Sequence, residues 1–171
     1  FRPRPADDPL IERFLAGGGR LFSNEGGELR PLVGAAPAAE GIEALLAEPG
    51  PWFGAFDLPF GLPRVFVDEL GLGSTAEAVI VELHRRCATR MAFRELIDGW
   101  TNGRPAGQRL VHRHSDRTRF GVSSTSPLQS RYVPVAFMYF EAMHRLVKAD
   151  VTLPRLRRGR RHATAVEGYP G

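Results

Sequence analysis

The sequence predicts a mixed α/β fold, because strand-like and helix-like segments alternate along the chain. The clearest strand signal is the aromatic, apolar run at residues 52–56, which stops at a turn rich in proline and glycine. A second strand signal covers residues 163–167 and also ends before a glycine- and proline-containing turn. Between them, residues 133–149 carry a strongly apolar helix pattern, in which Pro134 is tolerated in the first turn.

Turn and cap signals predict the shorter elements. Residues 20–23 and 28–30 flank a glycine-containing turn and are expected to form a β-hairpin. The third expected helix begins with Ser74-Thr-Ala-Glu77, a pattern typical of a capping box. In order, the expected helices lie at residues 38–47, from Pro63 to Gly71, from Ser74 to about Cys87, and at residues 91–100.

The same patterns predict which segments pack in the core. Residues 102–132 show little periodicity and are expected to form a long surface loop. Cys87 lies within a helix and is expected in the core rather than as a nucleophile. The aromatic and methionine stripe of the 133–149 helix is also expected to be core: Phe137, Met138, Phe140 and Met143.

Length and composition bound the class of protein. With 171 residues we expect one domain, residues 1–171, incomplete at both termini because the chain opens on Phe1 and stops in mid-motif at Gly171. No apolar run approaches the roughly 20 residues of a transmembrane helix, and no signal peptide is recognisable. The single cysteine, Cys87, excludes an internal disulfide framework and favours a cytoplasmic location.

The positive charge of the chain is almost entirely arginine. The formal net charge is +4, and of 23 basic residues only Lys148 is lysine. The arginine side chain presents a planar fork that suits phosphate oxygens. A GC-rich genome would raise arginine together with alanine, glycine and proline, so the total count has this alternative explanation, whereas the clustering of the arginines does not.

Two acids stand at the predicted strand ends. Asp57 follows the 52–56 strand and Glu167 ends the 163–167 strand. If these strands are neighbours, the two carboxylates converge and repel each other unless a divalent cation lies between them. Hard oxygen ligands favour Mg²⁺ or Mn²⁺, the ions of in-line phosphoryl displacement. Alternatively, Asp57 caps the helix that begins near Pro63 or hydrogen-bonds the turn.

A short stretch of the predicted loop combines imidazole, carboxylate and guanidinium groups. Asp116 would assist the two strand-end acids as a third ligand or a general base. Arg113 and Arg117 would grip flanking phosphates. His112 and His114 alternate and would share one face of an extended segment, which allows metal ligation or, alternatively, a solvated basic loop.

A second basic cluster lies near the C-terminus. Five guanidinium groups within seven residues repel each other unless anions offset them. A phosphate backbone is one such partner, and a merely solvated loop is the alternative. The five residues are Arg155, Arg157, Arg158, Arg160 and Arg161.

Four segments of the chain form a pattern when taken together: Asp57-Leu-Pro-Phe-Gly-Leu-Pro63, His112-Arg-His-Ser-Asp116, Ser126-Pro127 followed by Pro134-Val135-Ala-Phe-Met138, and Val166-Glu-Gly-Tyr-Pro170. In order and spacing they resemble domain-of-unknown-function family 429, described as predicted nucleases, from roughly residue 20 to the end of the chain. The resemblance implies a ribonuclease H-like mixed sheet flanked by helices, with a carboxylate cluster that binds divalent metal. Asp57, Asp116 and Glu167 match acids of the family pattern, whereas its first-strand acid would fall before Phe1.

The leading functional expectation is therefore a metal-dependent nuclease that hydrolyses phosphodiesters. Asp57 and Glu167 would hold Mg²⁺ or Mn²⁺, with Asp116 beside them. The alternative is a non-catalytic nucleic-acid-binding or assembly module on the same fold. A third possibility is phosphoryl transfer to a small molecule, which the absence of a glycine-rich phosphate loop in the sequence disfavours.

Overall fold

The computed structural model describes residues 21–25, 28–33, 41–49, 51–117 and 124–168. The chain forms two compact units, Phe1–Phe53 and Gly54–Gly171. In the first unit, β1 (Leu21–Glu25) and β2 (Glu28–Val33) pair antiparallel, which confirms the predicted hairpin. The short helix α1 (Gly41–Ala47) contacts β2; the first three residues of the helix predicted at 38–47 lie outside the described residues.

The sheet of the second unit has three strands in the order β3-β5-β4. β3 (Trp52–Phe56) begins in the last two residues of the first unit, and β5 (Arg160–Glu167) pairs in parallel with β4 (Val151–Thr152). Both predicted strands are confirmed, although β5 begins three residues earlier than predicted. The alternation of buried Ala163 and Ala165 along β5 turns one face of the sheet toward the core.

The second unit also contains four helices: α2 (Arg64–Glu69), α3 (Ala76–Arg86), α4 (Arg90–Thr101) and α5 (Val135–Lys148). α5 is the central one, since it contacts α3, α4 and β4. The fold is thus mixed α/β, with a small sheet flanked by helices, as the sequence predicted at this level. The largest fully buried side chains of the helices are Phe66, Ile80, Leu83, Ile97, Phe93, Tyr139, Phe140, Met143 and Leu146.

The predicted core stripe of α5 is only partly buried. Phe140 and Met143 are in the core, whereas Met138 is 39% exposed. Phe137 is half-buried, with the guanidinium carbon of Arg90 5.6 Å from its ring centre. The difference arises because the stripe is wider than the face of α5 that the neighbouring elements cover.

The start of α3 differs from the predicted capping box by one residue. Thr75, not Ser74, is the N-cap, and its Oγ1 accepts a hydrogen bond from the amide of Ala78 at 3.1 Å. The carboxylate of Glu77 does not return to the backbone; it accepts a hydrogen bond from Arg157 at 3.1 Å. A tertiary ion pair therefore replaces the local contact that the motif predicts.

The segment predicted as a surface loop is partly internal. Two 3-10 turns, Ala106–Gln108 and His114–Asp116, interrupt it. Leu128 is completely buried, and the hydroxyl of Ser126 donates to the carbonyl of Val111 at 2.7 Å. The prediction of a long surface loop therefore holds for only part of the segment, because aperiodic sequence can still bury single side chains whose backbone is hydrogen-bonded.

Cys87 is buried, as predicted, and burial raises the pKa of its thiol. Within the described ranges, no helix is both long enough and apolar enough to cross a membrane.

Candidate functional site

The C-terminal ends of β3 and β5 meet, as the sequence predicted for neighbouring strands. The amide of Gly168 donates to the carbonyl of Phe56 at 2.9 Å. A Cβ on Gly168 would lie 2.9 Å from the Cβ of Ala55, so glycine permits this close approach. In a parallel ladder this bond sets Phe56 opposite Glu167, and Asp57 lies one residue beyond the paired position.

The carboxylate of Glu167 is held from two sides. Its Oε2 accepts hydrogen bonds from the amide of Phe60 at 3.0 Å and from Nη1 of Arg113 at 2.8 Å. Its Oε1 accepts from Nη2 of Arg113 at 2.5 Å. The turn after β3 therefore folds back over the end of β5 and meets the strand-end acid through its backbone.

Asp116 reaches the same guanidinium from the other side. Its side chain is completely buried, and its Oδ1 accepts from Nε and Nη2 of Arg113 at 2.9 and 2.6 Å. Its Oδ2 accepts from the backbone amide of Arg113 at 2.6 Å. The 3-10 turn His114–Asp116 makes this possible, because it brings the carboxylate back onto residue 113.

We call Arg113, Asp116 and Glu167 the guanidinium cluster. Desolvation lowers the pKa of Arg113, but hydrogen bonds to Glu167 and Asp116 outweigh it and raise that pKa above its usual range. One cation against two carboxylates leaves a formal charge of −1 on the cluster. The sequence interpretation of Arg113 as a phosphate grip did not foresee this bridge. The three-residue spacing between Arg113 and Asp116 is a sequence signal for that ion pair. Nothing in the sequence signals the ion pair of Arg113 with Glu167, which is 54 residues away.

Asp57 is not bonded to the guanidinium cluster in the part of the chain that the structure describes. It is exposed, and its carboxylate forms no hydrogen bond or ion pair with the residues that the structure describes. The capping alternative is not observed either, since α2 starts at the N-cap Pro63 without a side-chain cap. Asp57 is thus a free carboxylate at a strand end.

The acids as arranged do not fit a divalent cation. In the described part of the chain, no three side chains of the His, Cys, Asp and Glu types are grouped as metal ligands. The oxygens of Asp116 and Glu167 that the sequence assigned to Mg²⁺ or Mn²⁺ accept hydrogen bonds from Arg113. A cation would have to displace this guanidinium first.

An open cleft of about 490 Å³ lies beside the guanidinium cluster. Four residues of its wall are ones that the sequence singled out: His112, Arg113, His114 and Arg117. The sequence interpretation missed the other residues, because nothing local marks them: Val65, Arg104, Gly107, Gln108, Leu110 and Val111.

Arg104 is a second cation of the cleft that the structure holds in place. Its guanidinium carbon lies 3.8 Å from the ring centre of Trp100, and its Nε donates to the Trp100 carbonyl at 3.1 Å. Its Nη2 forms an ion pair with Glu69. The indole in turn packs edge-on against the buried Phe66 at 5.1 Å, so Arg104 is a rigid part of the wall.

The exposed polar side chains of the cleft loop (residues 112–117) are His114, Ser115 and Arg117, of which His114 and Arg117 line the cleft. No carboxylate among the described residues pairs with Arg117. Nδ1 of His112 is buried and has no hydrogen-bond partner in the described part of the molecule. The exposed side chains of Arg117 and His114 keep hydrogen-bonding capacity that a ligand can use.

The second basic cluster is divided between internal and exposed side chains. Arg157 is 10% exposed and donates to Glu77, Asp150 and the carbonyl of Val151 at 3.0–3.1 Å. A phosphate would have to break these bonds. Arg155 and Arg158 are exposed, Arg160 is half-buried, and the side chain of Arg161 lies outside the described part.

Comparisons of this chain with protein-family models, with curated proteins and with solved structures gave no match. The resemblance to family 429 therefore stays a prediction. Function is inferred from the geometry and charge of the site.

Proposed function

We propose that this protein binds the phosphate backbone of nucleic acid in the cleft beside the guanidinium cluster. The observation that carries the proposal is the wall of that cleft, where three arginines and two histidines surround about 490 Å³ of open space. Arginine forks and imidazole N–H groups are the usual ligands of phosphate oxygens.

The donors of the cleft are unequal. Arg104 and Arg113 are neutralised by Glu69 and by the two acids of the guanidinium cluster. Arg117 has no such partner among the described residues, so it is the cation whose attraction for phosphate is least compensated. Binding should therefore depend on Arg117 more than on the other two.

A salt titration of a labelled DNA or RNA oligonucleotide, followed by fluorescence anisotropy, tests this. Arg117→Ala should weaken binding severalfold and lower the slope of log K against log salt by about one. Arg85→Ala is the matched control: Arg85 is an exposed arginine on α3, paired with Glu82, outside the cleft. No binding at low salt, or equal losses in both variants, would contradict the proposal.

Metal-dependent phosphodiester hydrolysis is the second candidate. What favours it is the meeting of Asp116 and Glu167 at one guanidinium, at the strand end that Asp57 follows. Because Arg113 occupies both carboxylates, hydrolysis requires that Mg²⁺ or Mn²⁺ displace it. This requirement makes simple binding the better-supported function.

Incubation of the protein with Mn²⁺ and a labelled strand distinguishes the two candidates. Hydrolysis predicts cleavage that Asp57→Asn abolishes while the melting temperature is unchanged, because the Asp57 carboxylate makes no described contact. An intact strand with every divalent metal, together with salt-dependent binding, would leave the binding module as the function.

A further inference from the structure

We infer that the cleft accepts an unpaired nucleotide, so that the protein prefers single-stranded to duplex nucleic acid. This inference rests on the proposed function and specifies its ligand. It starts from the apolar part of the wall: Val65 is 37% exposed and Leu110 is 46% exposed, and both line the same cleft as the basic residues.

Apolar side chains exposed among phosphate-binding groups indicate a ligand with two kinds of surface. Phosphate oxygens satisfy the arginines, but they gain nothing from Val65 and Leu110. A nucleotide joins the wide apolar face of a base, through its sugar, to a phosphate, and this combination fits both parts of the wall. In a duplex the base faces are covered by stacking, so an apolar wall can meet them only in a single strand.

The size of the cleft agrees with one such unit. Its volume of about 490 Å³ falls within the range of about 300–1,000 Å³ typical of small-ligand pockets. A nucleotide is a ligand of this class.

Polar groups of the wall supply possible contacts to a base edge. The side-chain amide of Gln108 has no hydrogen-bond partner within the described ranges, and amides of this type can bind adenine through paired hydrogen bonds. The exposed imidazole of His114 is a second polar group of the wall without a partner within the described ranges. Arg104, fixed by Trp100 and Glu69, keeps the wall rigid while these groups engage.

The test compares four labelled or competing probes at one salt concentration: an oligo-dA strand, its duplex with oligo-dT, an abasic strand of equal length, and inorganic polyphosphate. The oligo-dA strand should bind at least about tenfold more tightly than the duplex and the abasic strand. Polyphosphate should compete weakly. Equal affinity for the abasic strand, or for the duplex, would overturn the inference while leaving phosphate binding intact.

Variants assign the effect to the cleft. Leu110→Ala should weaken oligo-dA binding severalfold without changing the salt slope, because it removes apolar contact and no charge. Val81→Ala is the control, since Val81 is 56% exposed on α3 and does not line the cleft. An unchanged affinity in Leu110→Ala would refute the inference, whereas failure of all four probes to bind at low salt would refute the proposed function itself.

Discussion

The cleft loop (residues 112–117) and the second basic cluster look alike as sequence but differ in their partners. Each contains one arginine held between two acids: Arg113 in the first and Arg157 in the second. The acids of Arg113 are largely withdrawn from water, whereas those of Arg157 are about half-exposed. Similar charge patterns therefore contribute differently to the free energy of unfolding. Removal of the arginine costs more where the acids left behind are buried than where they are exposed.

The largest effect is expected from Arg113→Ala. The variant leaves the Asp116 carboxylate buried without its cation, which costs about 3–5 kcal/mol in the free energy of unfolding. Urea unfolding measures this. Arg131→Ala is the matched control, because Arg131 also binds its acid, Asp98, through two N–H groups but is 51% exposed; its loss should cost under about 1 kcal/mol. Equal costs would refute the role of burial.

Arg157→Ala should have an intermediate effect of about 1–2 kcal/mol in the same experiment. The guanidinium is lost from an internal position, but Glu77 and Asp150 can return to water. Arg158→Ala, a change at an exposed residue of the same cluster, should alter stability by less than about 0.5 kcal/mol. If Arg157→Ala lowered the free energy of unfolding as much as Arg113→Ala, the proposed difference between the two regions would be contradicted.

A third site, the stacked histidines His84 and His144, extends the comparison to pH, and no acid among the described residues bridges them. The rings of His84 and His144 stack at 3.9 Å, and Nε2 of His84 lies 3.0 Å from the carbonyl of Phe140. Desolvation lowers the pKa of His144, helped by His84, Lys148 and Arg145 and opposed by Glu141. The folded protein therefore takes up a proton at this site less readily than the unfolded chain.

Because the pKa of His144 is lowered in the folded protein, stability should decrease as the pH falls. The stabilising contribution of neutral His144 is complete above the unfolded value of about 6.5 and is lost as the pH falls below it. Melting temperatures between pH 7.5 and 5 should fall by about 1–2 °C more in the native protein than in His144→Gln. Parallel curves would show that the stacked pair does not contribute to the pH dependence.

The smallest effect on stability is expected from Arg117→Ala, at less than about 0.5 kcal/mol. Arg117 is exposed and lacks an acidic partner among the described residues. A loss of oligonucleotide binding with unchanged unfolding would therefore separate its functional role from the structural role of Arg113. A clear loss of stability would instead indicate an internal contact.

Local patterns in the sequence predicted much of the framework. The aromatic run of β3 and the alanines of β5 have strand periodicity, and the cap regions located the helices to within a few residues. The turn of Pro59 and Gly61 also placed Asp57 at a strand end. The capping box predicted at Ser74 does not form, and Glu77 instead accepts a hydrogen bond from Arg157, 80 residues away.

What the sequence by itself determined is the order of the longer strands and helices, without the two-residue β4, and the positions of acids at the strand ends, because periodicity, caps and turns act over a few residues. Only the tertiary structure decided which charges are neutralised and which face the cleft. Glu167 meets Arg113 across 54 residues, and Val65 joins Leu110 in one wall. Such pairings depend on distances in space and on shared burial, which charge and spacing along the chain do not encode.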